Sequence, residues 1–162
     1  MTTFICAIAA DTKLETPEGP LTVKTVGGSP TSVMTRTDEG HVRFAMTRNV
    51  RKVADAQPVV RIALENGRTF RVGPEQILFA ANLVEVRAGA LRAGDELLNV
   101  FAFPAGYDYQ TDDGKARTSQ GTVAVAAVEP GGEADLFSLT VERTGRLVFS
   151  AGVLGKSESV SA

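Results

Sequence analysis

No apolar stretch of this chain runs far before a turn signal breaks it. Pro17-Glu18-Gly19-Pro20, Asp38-Glu39-Gly40, Asn66-Gly67, Gly94-Asp95, Pro130-Gly131-Gly132 and Thr144-Gly145 punctuate short segments rich in Val, Ile, Thr and Phe. Many short strands joined by frequent turns define an all-β domain. No window sustains a helical apolar stripe for long. The best candidate is Pro74 to Ala81, with proline at a favourable first-turn position, so one or two short helices are the most to expect. The 162 residues suit one domain that can bury a core without disulfides or metal. With one cysteine, Cys6, and one histidine, His41, neither an internal disulfide nor a zinc or iron–sulfur cluster can be built. No cofactor is expected.

Parity fixes two hairpin loops. A two-residue loop at Asn66-Gly67 would put Val60, Ile62 and Leu64 on one face with Thr69, Arg71 and Gly73. A three-residue loop, Glu65-Asn66-Gly67, instead pairs Ile62 with Phe70 and Val60 with Val72, keeps one face apolar, and leaves Gly67 at the left-handed position of a bulged turn. The same test over Leu136 to Ser150 gives a loop Arg143-Thr144-Gly145, pairing Val141 with Leu147, Leu139 with Phe149, and Glu142 with Arg146.

Charge gives no pull toward nucleic acid or membrane: 17 Lys plus Arg stand against 19 Asp plus Glu, net −2. The segment from Arg36 to Arg71 carries eight cations against four carboxylates, a local +4. With only Phe44 and Phe70 as aromatics within it, it reads as a solvated strand face. No basic start precedes the short apolar N-terminal stretch and no run of about eighteen apolar residues occurs, so neither a signal peptide nor a membrane span is expected and the chain reads as soluble, with its localisation open. Residues 104–121 are polar, turn-rich and aperiodic, expected as a surface loop or linker, mobile over Thr111 to Ser119. His41, beyond the Asp38-Glu39-Gly40 turn, reads as a surface hairpin residue. Asp112-Asp113-Gly114-Lys115 lacks the spaced ligands of a calcium loop. Ser157, Ser159 and Ser161 read as a frayed tail.

The run Cys6-Ala-Ile-Ala-Ala-Asp11-Thr12-Lys-Leu-Glu-Thr16-Pro17-Glu18-Gly19-Pro20 resembles the first motif of the Hint family, the self-processing domains of inteins and hedgehog proteins. Val59 to Val72 resembles that family's central hairpin, Ala90 to Leu98 its Leu-x-x-Gly-Asp turn, and Leu136 to Glu142 with Leu147 to Leu154 its closing hairpin. In order, these cover roughly residues 6 to 157. The resemblance implies a compact Hint-type β-fold over 6–157, with 1–5 as N-terminal flank and 158–162 as tail. It also implies that Cys6 is a nucleophile whose thiolate attacks the carbonyl of Ile5, and that the substrate is the protein's own flanking polypeptide. Taken alone, a cysteine among Ile, Ala and Ala serves equally well as a small core residue.

Where the family carries Thr-x-x-His, this chain has Gly73-Pro74-Glu75-Gln76. Gln76 can donate a hydrogen bond to an oxyanion but cannot exchange a proton near neutral pH. Ser138 stands where many members carry Asp, Gly145 where some carry His, and Gly155-Lys156-Ser157 where the closing His-Asn would be. Without that asparagine, release of the C-terminal flank has no nucleophile. The implied activity is an intein-like domain that does not splice. Its chemistry reduces at most to an N-to-S acyl shift and autocleavage at Ile5-Cys6, slowed by about two to four powers of ten for want of a proton-transfer group. The competing expectation is an inactive Hint scaffold that serves as a structural or interaction module, and either form is expected to be monomeric.

Overall fold

Turn chemistry and β-branched residues set the local structure, and two very long strands organise it. The computed structural model describes residues 6–29, 31–100, 108–110, 114, 116–118 and 121–158. In chain order it contains β1 (Ile8–Ala9), β2 (Lys13–Thr16), β3 (Gly19–Thr22), α1 (Val23–Val26), β4 (Ser32–Arg36), β5 (Val42–Leu64), β6 (Thr69–Val72), β7 (Ile77–Phe79), β8 (Glu85–Arg87), β9 (Glu96–Leu98), β10 (Asp108–Gln110), β11 (Ala116–Thr118), β12 (Thr122–Val141), β13 (Arg146–Val148) and β14 (Leu154–Lys156). Among the described residues, helix is confined to the four residues of α1 and to 3-10 turns at Ala81–Leu83 and Ala88–Ala90. Thr22 caps α1, its hydroxyl accepting from the Thr25 N–H at 3.2 Å.

The helix expected from Pro74 to Ala81 is not there. Gln76 N–H donates to the Gly73 carbonyl at 3.0 Å to close a turn, and the chain then enters β7. Ile77, Leu78 and Phe79 are all buried. A short apolar run covered on both faces has no period that separates strand from helix.

β5 pairs with β4 at its start, with β6 at its end, and with β12 over most of its length. β1 lies between β6 and β12, Ile8 facing Val72 on one side and Phe137 on the other. β5, β6, β1 and β12 thus close a ring without a free edge between them. Positive φ at Asn49 (59°) and Ala56 (43°) bends β5 on its way round. Pro130-Gly131-Gly132, expected as a turn, lies inside β12, where the register with β5 slips between Pro130 and Glu133. A Cβ on Gly131 would stand 3.1 Å from the Arg61 nitrogen, so the glycine marks a close backbone approach within a bulge rather than a reversal.

The Asn66-Gly67 hairpin has the expected register, Val60 opposite Val72 and Ile62 opposite Phe70, with Gly67 at φ 85°. The second hairpin does not form. Gly145 N–H still donates to the Val141 carbonyl at 3.2 Å, but Val141 pairs with Thr47 of β5, while β13 crosses to pair with β14, Leu147 opposite Gly155. Parity says which residues share a face, and it does not say which strand is the neighbour. β13, β14, β7 and β8 form a separate sheet. The core between the layers includes Ile8, Leu14, Ile62, Leu139 and Phe149, whose ring stacks on Phe70 at 5.1 Å.

Within residues 104–121, β10 and β11 form an antiparallel ladder from Asp108↔Thr118 to Gln110↔Ala116. Most of that segment, including Asp112, Asp113 and Lys115, lies outside the described residues, as do Met1 to Ile5 and residues 159–162. The cations of β5 face outward, and several are ion-paired: Arg48 with Glu142, Lys52 with Asp55, and Arg61 with Glu129. His41 is exposed at the β4–β5 turn. No helix of the described residues is long and apolar enough to cross a membrane. Among them, no three His, Cys, Asp or Glu side chains group to hold a metal ion.

Candidate functional site

Cys6 precedes β1 and is 1 % exposed. Burial pushes its thiol up to about 11, against an ordinary value of 9.0. The Leu139 N–H and the Ser138 hydroxyl pull the other way, the Glu158 charge adds to the rise, and the Arg51 charge opposes it. Desolvation dominates because a thiolate loses more in an apolar surround than two neutral donors return. The Ser138 oxygen is buried and has no partner at full hydrogen-bond geometry, yet it lies near enough to favour the charged forms of both Cys6 and Glu158.

The next residue is held from both sides. The Ala7 carbonyl accepts from the Gly73 N–H at 2.8 Å, and the Ala7 N–H donates to Gln76 Oε1 at 2.8 Å. A Cβ on Gly73 would come within 2.8 Å of the Ala7 Cβ, so the missing side chain there lets β1 approach. Gln76 is fully buried, and its Nε2 donates to the Ile77 and Lys156 carbonyls, each at 2.9 Å. One donor and two acceptors around it fix which end is the amide nitrogen. Both N–H groups are therefore engaged. To serve an oxyanion at the preceding carbonyl, Gln76 would first have to release Ile77 or Lys156.

Gln76 thereby ties the residue after Cys6 to the end of β14. Lys156, where the resemblance would place a histidine, turns its Nζ outward to Glu85 at 2.8 Å. Ser157 is not part of a frayed tail: it is fully buried. Its N–H donates to the Gly145 carbonyl at 2.9 Å, and its Oγ accepts from the Val141 N–H at 3.1 Å while donating to the Glu158 carbonyl at 3.0 Å. Glu158 is anchored too. Its N–H donates to the Leu139 carbonyl at 2.9 Å, and its carboxylate takes the Arg51 guanidinium through two bonds, at 2.8 and 2.7 Å. That pairing, helped by Ser138, holds the Glu158 carboxyl below the usual carboxylate range.

Sequence reasoning placed Cys6 and Gln76, and the structure brings them into one buried cluster with Ser138 and the β14 end. It missed Arg51 and Glu158. They lie 107 residues apart, and no local pattern links a basic strand residue to one assigned to a tail. Gly145, singled out for its alignment, contacts this region only through its bonds to Val141 and Ser157.

This arrangement, a cysteine before a central strand and a C-terminal strand brought back beside it, is that of the Hint fold of inteins, and the chain has that fold. It superposes on a DnaB intein from Synechocystis sp. PCC 6803 with a TM-score of 0.70 at 12 % identity, covering 94 % of this chain and 99 % of that one. A DnaX mini intein from Spirulina platensis gives 0.69 at 11 % identity, over 93 % and 99 % of the two chains. An intein from a hyperthermophile gives 0.67 at 18 %, over 93 % and 99 %. No protein-family model matches the chain, and no curated protein is significantly similar to it in sequence.

Proposed function

We propose that this is an autoprocessing-type domain acting on its own flanking polypeptide, limited to the first step of the chemistry. In that step Cys6 Sγ adds to the Ile5 carbonyl carbon, the Ile5–Cys6 C–N bond breaks, and the Cys6 nitrogen takes up a proton and becomes a free amine. The product is a thioester that a thiol or water resolves, releasing the N-terminal flank. The single observation that carries this reading is Gln76, one buried side chain that fixes both the Ala7 N–H and the Lys156 carbonyl and so holds the two ends of the domain at the cysteine. Ser157 and Lys156 supply neither a cyclising amide nor an imidazole, which supports a domain that does not splice. Intact mass of the purified protein, before and after overnight incubation with excess thiol and beside Cys6→Ala, tests this. Loss of a Met1 to Ile5 fragment in the parent alone is expected.

One observation favours a second reading, an inactive Hint scaffold kept for its surface. A thiol raised to about 11 is almost entirely protonated near neutral pH, and no imidazole stands by to deprotonate it. Unchanged mass in a folded parent would select that reading.

A further inference from the structure

The buried cluster at the start of β1 holds one polar group to which the acyl shift as written gives no task, the Ser138 hydroxyl. Ser138 is 1 % exposed, and its Oγ has no partner at full hydrogen-bond geometry. A hydroxyl left so inside a protein costs stability. The strand pairings say what surrounds it. On one edge of β12, Ile8 faces Phe137, which brings the residues just before Ile8 alongside Ser138 and Leu139; on the other edge, Ser138 stands opposite Arg51 of β5. Glu158 closes the group. Its N–H donates to the Leu139 carbonyl at 2.9 Å, it bridges to Thr140, and its carboxylate takes the Arg51 guanidinium at 2.8 and 2.7 Å. Building on the autoprocessing reading above, we propose that Glu158, acting through the Ser138 hydroxyl, is the base that receives the Cys6 thiol proton.

A hydroxyl carries one donor and two acceptor sites, so Ser138 Oγ can accept from the Cys6 S–H while donating to a Glu158 oxygen. Ser138 acts on both of these groups, as a bridge between them must. Each Glu158 oxygen takes one Arg51 N–H, and an ionised carboxylate offers about four acceptor sites, which leaves room for the hydroxyl. In the step, the Cys6 proton passes to Ser138 Oγ as the Ser138 proton passes to Glu158, while Sγ bonds to the Ile5 carbonyl carbon and the π pair moves onto its oxygen. When the oxyanion collapses and the C–N bond breaks, the pair returns the proton to the Cys6 nitrogen and Glu158 is a carboxylate again. Arg51 keeps Glu158 ionised below the usual carboxylate range, so the base is ready at neutral pH but weak. A weak base serves when the proton moves as the S–C bond forms rather than beforehand, and such links tighten only as the reacting groups close on one another. Gln76 cannot take this part, with both N–H groups committed and an amide that exchanges no proton near neutral pH, and His41 is exposed at the β4–β5 turn.

The test follows cleavage of the full chain against pH, at saturating thiol so that the acyl shift limits the rate. A rate level from about pH 6 to 8 is expected, falling only in acid with a midpoint below the ordinary glutamate value of 4.5. A rate that climbs about tenfold per pH unit over the same range would show a free thiolate as the attacking form and overturn the proposal. Ser138→Ala and Glu158→Gln should each slow cleavage at pH 7 by about 100-fold, and a parental rate in either overturns it as well. Ser138→Ala removes an oxygen without a partner, so the fold should tolerate it. A second measurement needs no cleavage: the Glu158 side-chain carbon shift, followed against pH, should titrate higher in Ser138→Ala than in the parent, because a donor to the carboxylate is gone. An unmoved Glu158 overturns the relay whether or not the chain cleaves. A Glu158 that moves in a chain that never cleaves supports the bridge and overturns the autoprocessing reading instead.

Discussion

Removing the hydrogen bonds of Gln76 while keeping its bulk should cost this domain a large share of its stability. Gln76→Met does this: the thioether fills a similar volume and adapts to irregular gaps, so little cavity remains. What is lost is the acceptor for the Ala7 N–H and the donors for the Ile77 and Lys156 carbonyls. Orphaning a buried polar group costs about 1–3 kcal/mol. The Lys156 bond is only part-buried, so water recovers some of its share, and a total near 3–5 kcal/mol is expected. Against a whole-domain stability of about 5–15 kcal/mol this is severe. In equilibrium urea unfolding, with m near 2 kcal/mol/M, the midpoint should fall by about 1.5–2.5 M at unchanged slope. Gln76→His should recover roughly half, because one imidazole nitrogen can accept from Ala7 while the other donates to one of the two carbonyls. A midpoint shift under about 0.5 M for Gln76→Met at the same slope would refute the view that this residue bolts the two ends together.

The raised Cys6 thiol makes stability depend on alkaline pH: below 9.0 both states hold the proton, and as pH climbs toward about 11 only the unfolded chain releases it. Stability should therefore fall by up to about 3 kcal/mol across that window, and urea melts of Cys6→Ala should lack this component. Glu158→Gln removes a charge that raises the thiol, so Cys6 should titrate lower, followed by thiolate absorbance against pH; an upward move would show that the Arg51 pair acts in another way. Gly155→Ala places a Cβ 2.6 Å from Phe149 Cε2, a ring already stacked on Phe70, and should cost about 1–3 kcal/mol in thermal or urea unfolding. Gly67→Ala meets nothing within 4 Å and should pay only for its left-handed backbone, about 1–2 kcal/mol, so a larger loss there than at Gly155 would contradict this packing argument.

The class of the fold was legible because strand length and turn chemistry are local. The Asn66-Gly67 register was legible for the same reason: three residues decide it, and the further partners, β12 for β5 and β1 for β6, lie along the other edges of the two strands. The hairpin at Arg143-Thr144-Gly145 failed although its parity was sound, since β12 already has β5 alongside Val141 and leaves β13 to seek β14. Pro130-Gly131-Gly132 carried the composition of a turn, but the pairing of two long strands across it turned the same residues into a bulge. At the site, Cys6 and Gln76 could be named from motif order. Their chemistry could not, because the thiol's shift and the commitment of both Gln76 N–H groups depend on residues from β7, β12 and the end of β14. Ser157 and Glu158 looked like tail because polarity suggests solvent, and only the backbone bonds to Gly145 and Leu139 show otherwise.

The closure of β5 and β12 around β1 also sets an order of events during synthesis. β1 emerges first and has no partner until β6 is made, and Cys6 gains its Ser138 and Leu139 neighbours only after nearly the whole of β12 has followed. Glu158 comes later still. Contacts of such long sequence separation form slowly and late. Until β12 has been made, the thiol therefore lacks the neighbours that enclose it. The thiol is thus among the first groups made and among the last to be enclosed, and any reactivity that depends on its completed surround waits on the chain as far as residue 158.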